Sequence, residues 1–192
     1  LEESIFIKRL QTRDRDAFNE LTIRFKDKVL NTALGLVHDQ EDAEDITQEV
    51  FIEIFQSISE FKGLSKLSTW VYRITVQKSL EHIRRKSRKK RSGIILSLFG
   101  KEQVLPVASD SPFYHPGVKM ENKERSAVLF KAIAQLPINQ QTSFTLSKLE
   151  NLSYAEIAEV MEVTESAVES LLFRAKQNLR KILADYYDNN EK

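Results

Sequence analysis

The chain has 192 residues, 41% hydrophobic and 30% charged, so a core can form and the length allows one ordinary domain or two small ones. Five glycines and four prolines argue against a loop-rich or all-β fold, and the absence of cysteine removes disulfides, thiolate catalysis and cysteine-type zinc sites together. A formal net charge of +1 says little, but its distribution is segregated: six of the eleven residues 39–49 are acidic and seven of the eight residues 84–91 are basic.

Residues 4–11 read as a short helix and 14–37 as one or two longer ones, with Phe18, Leu21, Phe25, Val29 and Ala33 recurring every three or four positions. Over residues 42–58, Ala43, Ile46, Val50, Ile54 and Ile58 form a second apolar stripe that leaves Asp45, Gln48, Glu49 and Gln56 outside it. This predicts an amphipathic helix with an acidic outer face. A break at Gly63 precedes a helix over residues 68–85, with Ser68 as its cap, that carries Trp70, Tyr72, Ile74, Leu80 and Ile83 into the basic run.

Residues 92–122 hold three of the four prolines and three of the five glycines without a sustained period. They read as a linker between two domains, 1–91 and 123–188, followed by a tail over 189–192. The apolar piece 94–99 is an exception within it, able to dock. Helical patterning resumes over 124–136, breaks at Pro137 and continues over 139–149. Ser153 and Glu156 then form a capping box for a helix ending near Met161. Thr164 caps a last helix with Val168, Leu172, Ala175, Leu179, Ile182 and Leu183 on one face. The fold expected is all-α, two small helical domains with a helix-turn-helix at the C-terminal end.

In a DNA-binding helix-turn-helix the second helix enters the major groove. Glu165, Ser166, Glu169, Ser170 and Phe173 would then face base edges, and Arg174, Lys176, Arg180 and Lys181 would lie near phosphates. The basic run after Trp70 and Tyr72 is a second nucleic-acid signal, since Lys and Arg release counterions from DNA and aromatic rings stack on unpaired bases. Core packing is the competing reading of both rings. His38, His82 and His115 are too far apart in sequence to suggest a metal site, and no cofactor is expected. No apolar run is long enough to span a membrane and no secretion signal opens the chain, so a soluble, cytoplasmic protein is expected. The first residue is Leu rather than Met, which suggests missing upstream residues.

Several segments in order resemble one family. DAEDITQEVF (42–51), FKG (61–63) and LSTWVYRI (67–74) are similar to the second conserved region of extracytoplasmic-function sigma factors. Leu136-Pro137, LSYAEIA (152–158) and AVESLLFRA (167–175) resemble their fourth region. The resemblance spans about residues 14–184. It implies a non-enzymatic subunit that binds core RNA polymerase and directs promoter-specific initiation, and it supplies roles for particular residues. Asp45, Gln48 and Glu49 match positions that contact the clamp coiled coil of the β′ subunit, and a second contact to the β flap is implied.

Phe61, Lys62, Lys66, Ser68 and Thr69 match the loop that captures a flipped base of the −10 element, with Trp70, Tyr72, Arg73, Gln77, Arg84 and Arg85 on the helix beside it. Ser153, Tyr154, Thr164 and Gln177 join the helix-turn-helix residues Glu165, Ser166, Glu169, Ser170, Phe173, Arg174 and Lys176 as candidates for the −35 element. An anti-sigma partner is implied too. Gln77 stands where Asn is common, and Glu169 and Leu171 where basic residues are common, which points to an atypical −35 sequence or affinity. Two other readings are a helix-turn-helix regulator that ignores polymerase and a nuclease using Asp42, Glu44 and Asp45. At helical spacings of one and two, those three carboxylates do not converge on one ion.

Overall fold

The computed structural model describes residues 2–95 and 123–190, which form helices with no strand among them. Four helices make the N-terminal half: α1 (Glu2–Gln11), α2 (Arg15–Val37), α3 (Gln40–Ser57) and α4 (Leu67–Ile95), with a 3₁₀ turn at Ile58–Glu60. The C-terminal half contains α5 (Lys123–Ile133), α6 (Ile138–Lys148), α7 (Tyr154–Met161) and α8 (Glu165–Asn190). The expected linker falls mostly on residues outside those described, as do most of the apolar piece 94–99 and the last two residues of the tail.

Local chemistry sets the helix ends. Asp14 caps α2 by accepting from the amides of Asp16 (2.9 Å) and Ala17 (3.1 Å), and its other oxygen takes Arg9 Nε at 2.8 Å. Such a cap contributes about 1 kcal/mol. α2 is one continuous helix that stops at His38, whose backbone is left-handed (φ 54°). Asp39 caps α3, so this helix begins at Gln40, three residues before Ala43, the first residue of its apolar stripe. Gly63 has φ +68° and open space around it, as the turn into α4 requires.

The α2 and α3 stripes pack together with one face of α4 around Leu21, Phe25, Ile46, Ile54, Leu67 and Val71. Each such side chain, fully buried, contributes about 1.5–3 kcal/mol. α4 differs from expectation in three ways. It starts at Leu67, so Ser68 lies inside the helix; it runs ten residues past Arg85; and it has a second buried face. Leu67, Val71 and Ile74 face the N-terminal core, whereas Tyr72 and Val76 join Leu36 in a cluster with Leu146, Ile157, Val160, Val168 and Leu172 of the C-terminal half. A third cluster, around Phe130, Ile133, Leu136, Ala175 and Leu179, ties α5 to α8.

The two halves therefore touch, α4 against α7 and α2 against α6. α6 is unusual in burying Gln140, Gln141, Thr142, Ser143 and Thr145. Buried polar groups persist where they are paired. Thr142 and Ser143 donate to Ile138 and Gln140 carbonyls (2.8 and 3.0 Å), Asn178 donates to Gln140 (2.9 Å), and Gln141 donates to the Gly35 and Leu36 carbonyls of α2 (3.2 and 3.0 Å).

Candidate nucleic-acid and polymerase interface

The outer face of α3 turns Asp45 and Gln48 to solvent, with Glu49 half-buried beside them. Glu49 accepts from Arg85 Nη2 at 3.3 and 3.4 Å, so a residue of the basic run lies across a residue of the acidic face. One helical turn further along, Ile52 and Phe55 are 57% and 43% exposed, and Phe55 meets Phe18 edge-on with Arg13 over its ring. These apolar residues extend the acidic surface and were missed in the sequence. The available signal was two large apolar side chains lying off the α3 stripe. Asp42, on the neighbouring flank, is held by Lys86 and by His82 at 3.1 Å. Its sequence neighbours Glu44 and Asp45 are exposed, and among the described residues no group of three His, Asp or Glu is placed to hold a metal ion.

The loop and first turns of α4 bring the next candidates together in a mixed state of exposure. Phe61 is buried and its ring lies 5.0 Å from that of Trp70, which is half-buried against the N-terminal core. Thr69 is buried and its hydroxyl has no hydrogen-bond partner, while Lys62 is exposed and Ser68 half-buried. Gln77 and Arg84 are exposed, Gln77 reaching Glu81 at 3.4 Å.

Between these lie three residues that meet the C-terminal half, Tyr72 buried, Arg73 partly covered and Lys66 still exposed. Tyr72 is 5% exposed and its hydroxyl donates to Glu150 at 2.8 Å. Arg73 Nη2 donates to the main-chain oxygen of Glu159 at 2.6 Å, with Nη1 3.7 Å from the Glu162 carboxylate. Lys66 Nζ donates to Glu156 at 3.0 Å. Burial, then the neighbouring Glu150 charge, raises the Tyr72 phenol, which stays a neutral donor. Burial likewise raises the Glu150 carboxyl against the lowering effect of the Tyr72 hydrogen bond. Glu156 goes the other way, down to about 2, because it accepts from the Ser153 amide, from Lys66 and from the Ser153 hydroxyl.

The helix-turn-helix is built as its spacing predicts. Ser153 and Glu156 complete the capping box of α7, Glu162 makes the left-handed turn (φ 56°), and Thr164 accepts from the Ala167 amide at 3.2 Å to start α8. Val168, Leu172, Ala175 and Leu179 fix the inner face of α8. Ser153, Tyr154, Thr164, Glu165, Ser166, Glu169 and Ser170 are all exposed, as are Phe173, Arg174, Lys176 and Gln177. Phe173 is 61% exposed, a large apolar side chain with no place in the core.

Comparison with known proteins places both halves. The family described as Sigma-70 region 2 matches residues 21–89, and that described as Sigma-70, region 4 matches residues 126–179. The RNA polymerase sigma-H factor of Pseudomonas aeruginosa is 30% identical, covering 92% of this chain and 91% of its own length. The ECF RNA polymerase sigma-E factor of Haemophilus influenzae is 32% identical, covering 92% of this chain and 93% of its own. Among solved structures, CnrH in complex with the cytosolic domain of CnrY superposes with a TM-score of 0.68 at 18% identity, covering 95% of this chain and 97% of that one. The sigma factor RpoE of Bartonella quintana, in complex with the anti-sigma factor NepR, gives 0.65 at 17% identity over 87% of this chain and 96% of that one. At those identities the two structures speak to the fold.

Proposed function

This chain belongs to the sigma-70 family, in its extracytoplasmic-function branch, and from that premise we propose that it binds core RNA polymerase and directs promoter-specific transcription initiation. The chemistry of RNA synthesis is the polymerase's, and this subunit supplies the reading of DNA without a catalytic activity of its own. It works as two domains, 1–91 and 123–188, joined through residues 92–122. The exposed face of α8 reads the −35 element as duplex. The loop after α3 and the first turns of α4 hold the −10 element as single strand, with Lys62, Lys66, Arg73, Arg84 and Arg85 as the cations. Asp45, Gln48 and Glu49 meet the basic surface of the β′ clamp coiled coil, a surface that complements carboxylates where DNA would be repelled. The C-terminal domain takes the β flap.

The observation that carries this reading is the complete exposure of the α7–α8 candidates, in a chain whose halves match regions 2 and 4 in order. Two solved structures that share its fold are bound to the cytosolic domain of CnrY and to the anti-sigma factor NepR, which supports a protein inhibitor of that kind for this chain. Its working compartment is the cytoplasm. Among the described residues no helix is long and apolar enough to cross a membrane.

Run-off transcription with purified core polymerase and a promoter pool, read by sequencing, tests the function. Transcripts that start at a shared pair of upstream motifs, and only when this chain is added, are expected. Polymerase activity indifferent to the chain would overturn the reading.

A further inference from the structure

α1 lies ahead of residues 21–89, the part matched by the region 2 family, yet it is tied to the loop that follows the 3₁₀ turn. Glu3, Phe6, Leu10 and Gln11 recur at i, i+3, i+7 and i+8, so they share one face of the helix. The two apolar members, Phe6 and Leu10, are buried in the N-terminal core. The two polar members, at opposite ends of that stripe, reach opposite ends of the loop. Gln11 Nε2 donates to the Phe61 carbonyl at 2.9 Å, and the Leu67 amide, the first of α4, donates to Glu3 Oε1 at 3.4 Å. α1 therefore lies along the loop in the opposite sense and spans it. Its own position is fixed at the far end, where Arg9 Nε pairs at 2.8 Å with Asp14, the cap of α2.

Between the two tied ends the loop faces solvent. Lys62, Gly63 and Lys66 are exposed, and Leu64 is 90% exposed. Holding the ends of such a segment removes conformational freedom that a ligand would otherwise have to remove on binding. α1 also helps to wall the cleft beside the start of α4, which is lined by Glu3, Phe6, Glu20, Arg24, Lys66 and Ser68.

We propose that α1 is a positioning element for the −10 loop: Gln11 and Glu3 fix the Phe61 carbonyl and the Leu67 amide, so that the loop meets an unpaired base in one prearranged shape and discriminates among bases by it. The proposal rests on the reading that residues 61–69 capture a base of the −10 element. It adds that this selectivity depends on two residues outside the region 2 match, which act through the backbone of the loop.

The test uses the full chain with core polymerase. The probe is a duplex library randomised in both promoter elements, each template barcoded in its transcript, and the run-off products are sequenced. Gln11→Glu keeps the size of the side chain and sets a charged acceptor opposite a carbonyl; Glu3→Ala removes the second tie, and Glu3→Gln restores an acceptor there. Gln11→Glu and Glu3→Ala are each expected to lower base preference in the −10 element at least about fivefold, the scale of one base contact, with −35 preference within about twofold of the unmodified chain. Glu3→Gln is expected to recover most of the preference. The −35 profile is the internal reference, because a loss of fold or of polymerase binding lowers the yield of transcript and leaves both preferences as they were.

Lys62→Ala, Leu64→Ala, a change in the loop itself, separates the positioning role from the reading beneath it. Flattened −10 preference in that loop variant, with none in the α1 variants, overturns the positioning role and leaves the −10 reading in place. No flattening in either overturns the −10 reading and the proposal with it. Lower yield from the α1 variants with both preferences intact assigns α1 to stability alone and overturns the proposal.

Discussion

The α8 face and the α4 face carry comparable candidate DNA-binding chemistry and differ in accessibility. On α8 every candidate from Glu165 to Gln177 faces solvent, whereas on α4 Tyr72 is buried and Arg73, like Lys66 just before the helix, is engaged by oxygens of the other half. The difference comes from what lies behind each helix. α8 buries one face, along which Val168 and Leu172 meet the second cluster and Ala175 and Leu179 the third, so its outer surface is left over for a ligand. α4 lies between two cores, and its second face is satisfied from within the chain. Residue type thus shows what a surface can bind, and packing shows when that surface is available.

The largest effect that can break this comparison comes from the cluster shared by both halves. Leu146→Ala, at a fully buried position against α7 and α8, should cost about 2–5 kcal/mol in chemical denaturation. It should also loosen the cover on α4, so that hydrogen exchange rises at α7 before it rises at α2. Exchange rising uniformly over both halves would show that they unfold as one unit.

Next in size is a change confined to the open face. Glu169→Lys should alter the preferred −35 base by about 1–3 kcal/mol of discrimination if Glu169 accepts from a cytosine edge. Binding to a library randomised in that element at two salt concentrations separates this from a general gain in phosphate affinity, which would steepen the salt dependence for every sequence.

The acidic face of α3 gives a smaller effect on stability with a larger one on assembly. Replacing Asp45, Gln48 and Glu49 by Ala should weaken binding to core polymerase while each change costs under about 0.5 kcal/mol of stability. Unaltered affinity for polymerase in the triple variant counts against the clamp assignment.

The smallest effect is a pH dependence that belongs to the covered face alone. Burial raises Glu150 where the halves meet, so the closed form binds the proton more tightly and gains stability over a form with the halves apart as pH falls through the raised value. Glu156 has the opposite sign: lowered to about 2 by Ser153 and Lys66, it favours the native contacts fully above its ordinary value of 4.5 and loses that contribution as pH falls toward 2. Mild acidification should therefore tighten closure, while protonation of Glu156 in stronger acid falls first on the Ser153 cap of α7 and only through Lys66 on the contact between the halves. Fluorescence transfer between labels on α2 and α6 measures this, and Glu150→Gln should flatten the first limb.

Elements with a single buried face were legible in the sequence. The α3 stripe, the Ser153 capping box and the Thr164 cap are each decided within a few residues, and the structure has them where the spacing puts them. α4 was harder because two apolar faces on one helix blur into a single irregular stripe, which is how Tyr72 came to have two readings. Its partner Glu150 is 78 residues away, and no local pattern announces that contact. α6 was legible as a helix but not as an interface, because it buries Gln141 and Thr145 where hydrophobic periodicity looks for apolar residues. The site residues themselves were found by charge and by family resemblance, and their differing exposure was not visible in either.

The polar character of α6 has a thermodynamic consequence. Separation of the halves would wet Gln141 and Thr145, whose partners are the Gly35 and Leu36 carbonyls, along with the apolar cluster that Leu36, Tyr72 and Val76 form with Leu146 and Ile157. Apolar exposure raises heat capacity by about 0.45 cal/K/mol per Å² and polar exposure lowers it by about 0.26, so the buried amides and hydroxyls of α6 subtract from the increment of the apolar cluster. Opening should then give a smaller heat-capacity change than a wholly apolar seam of the same area.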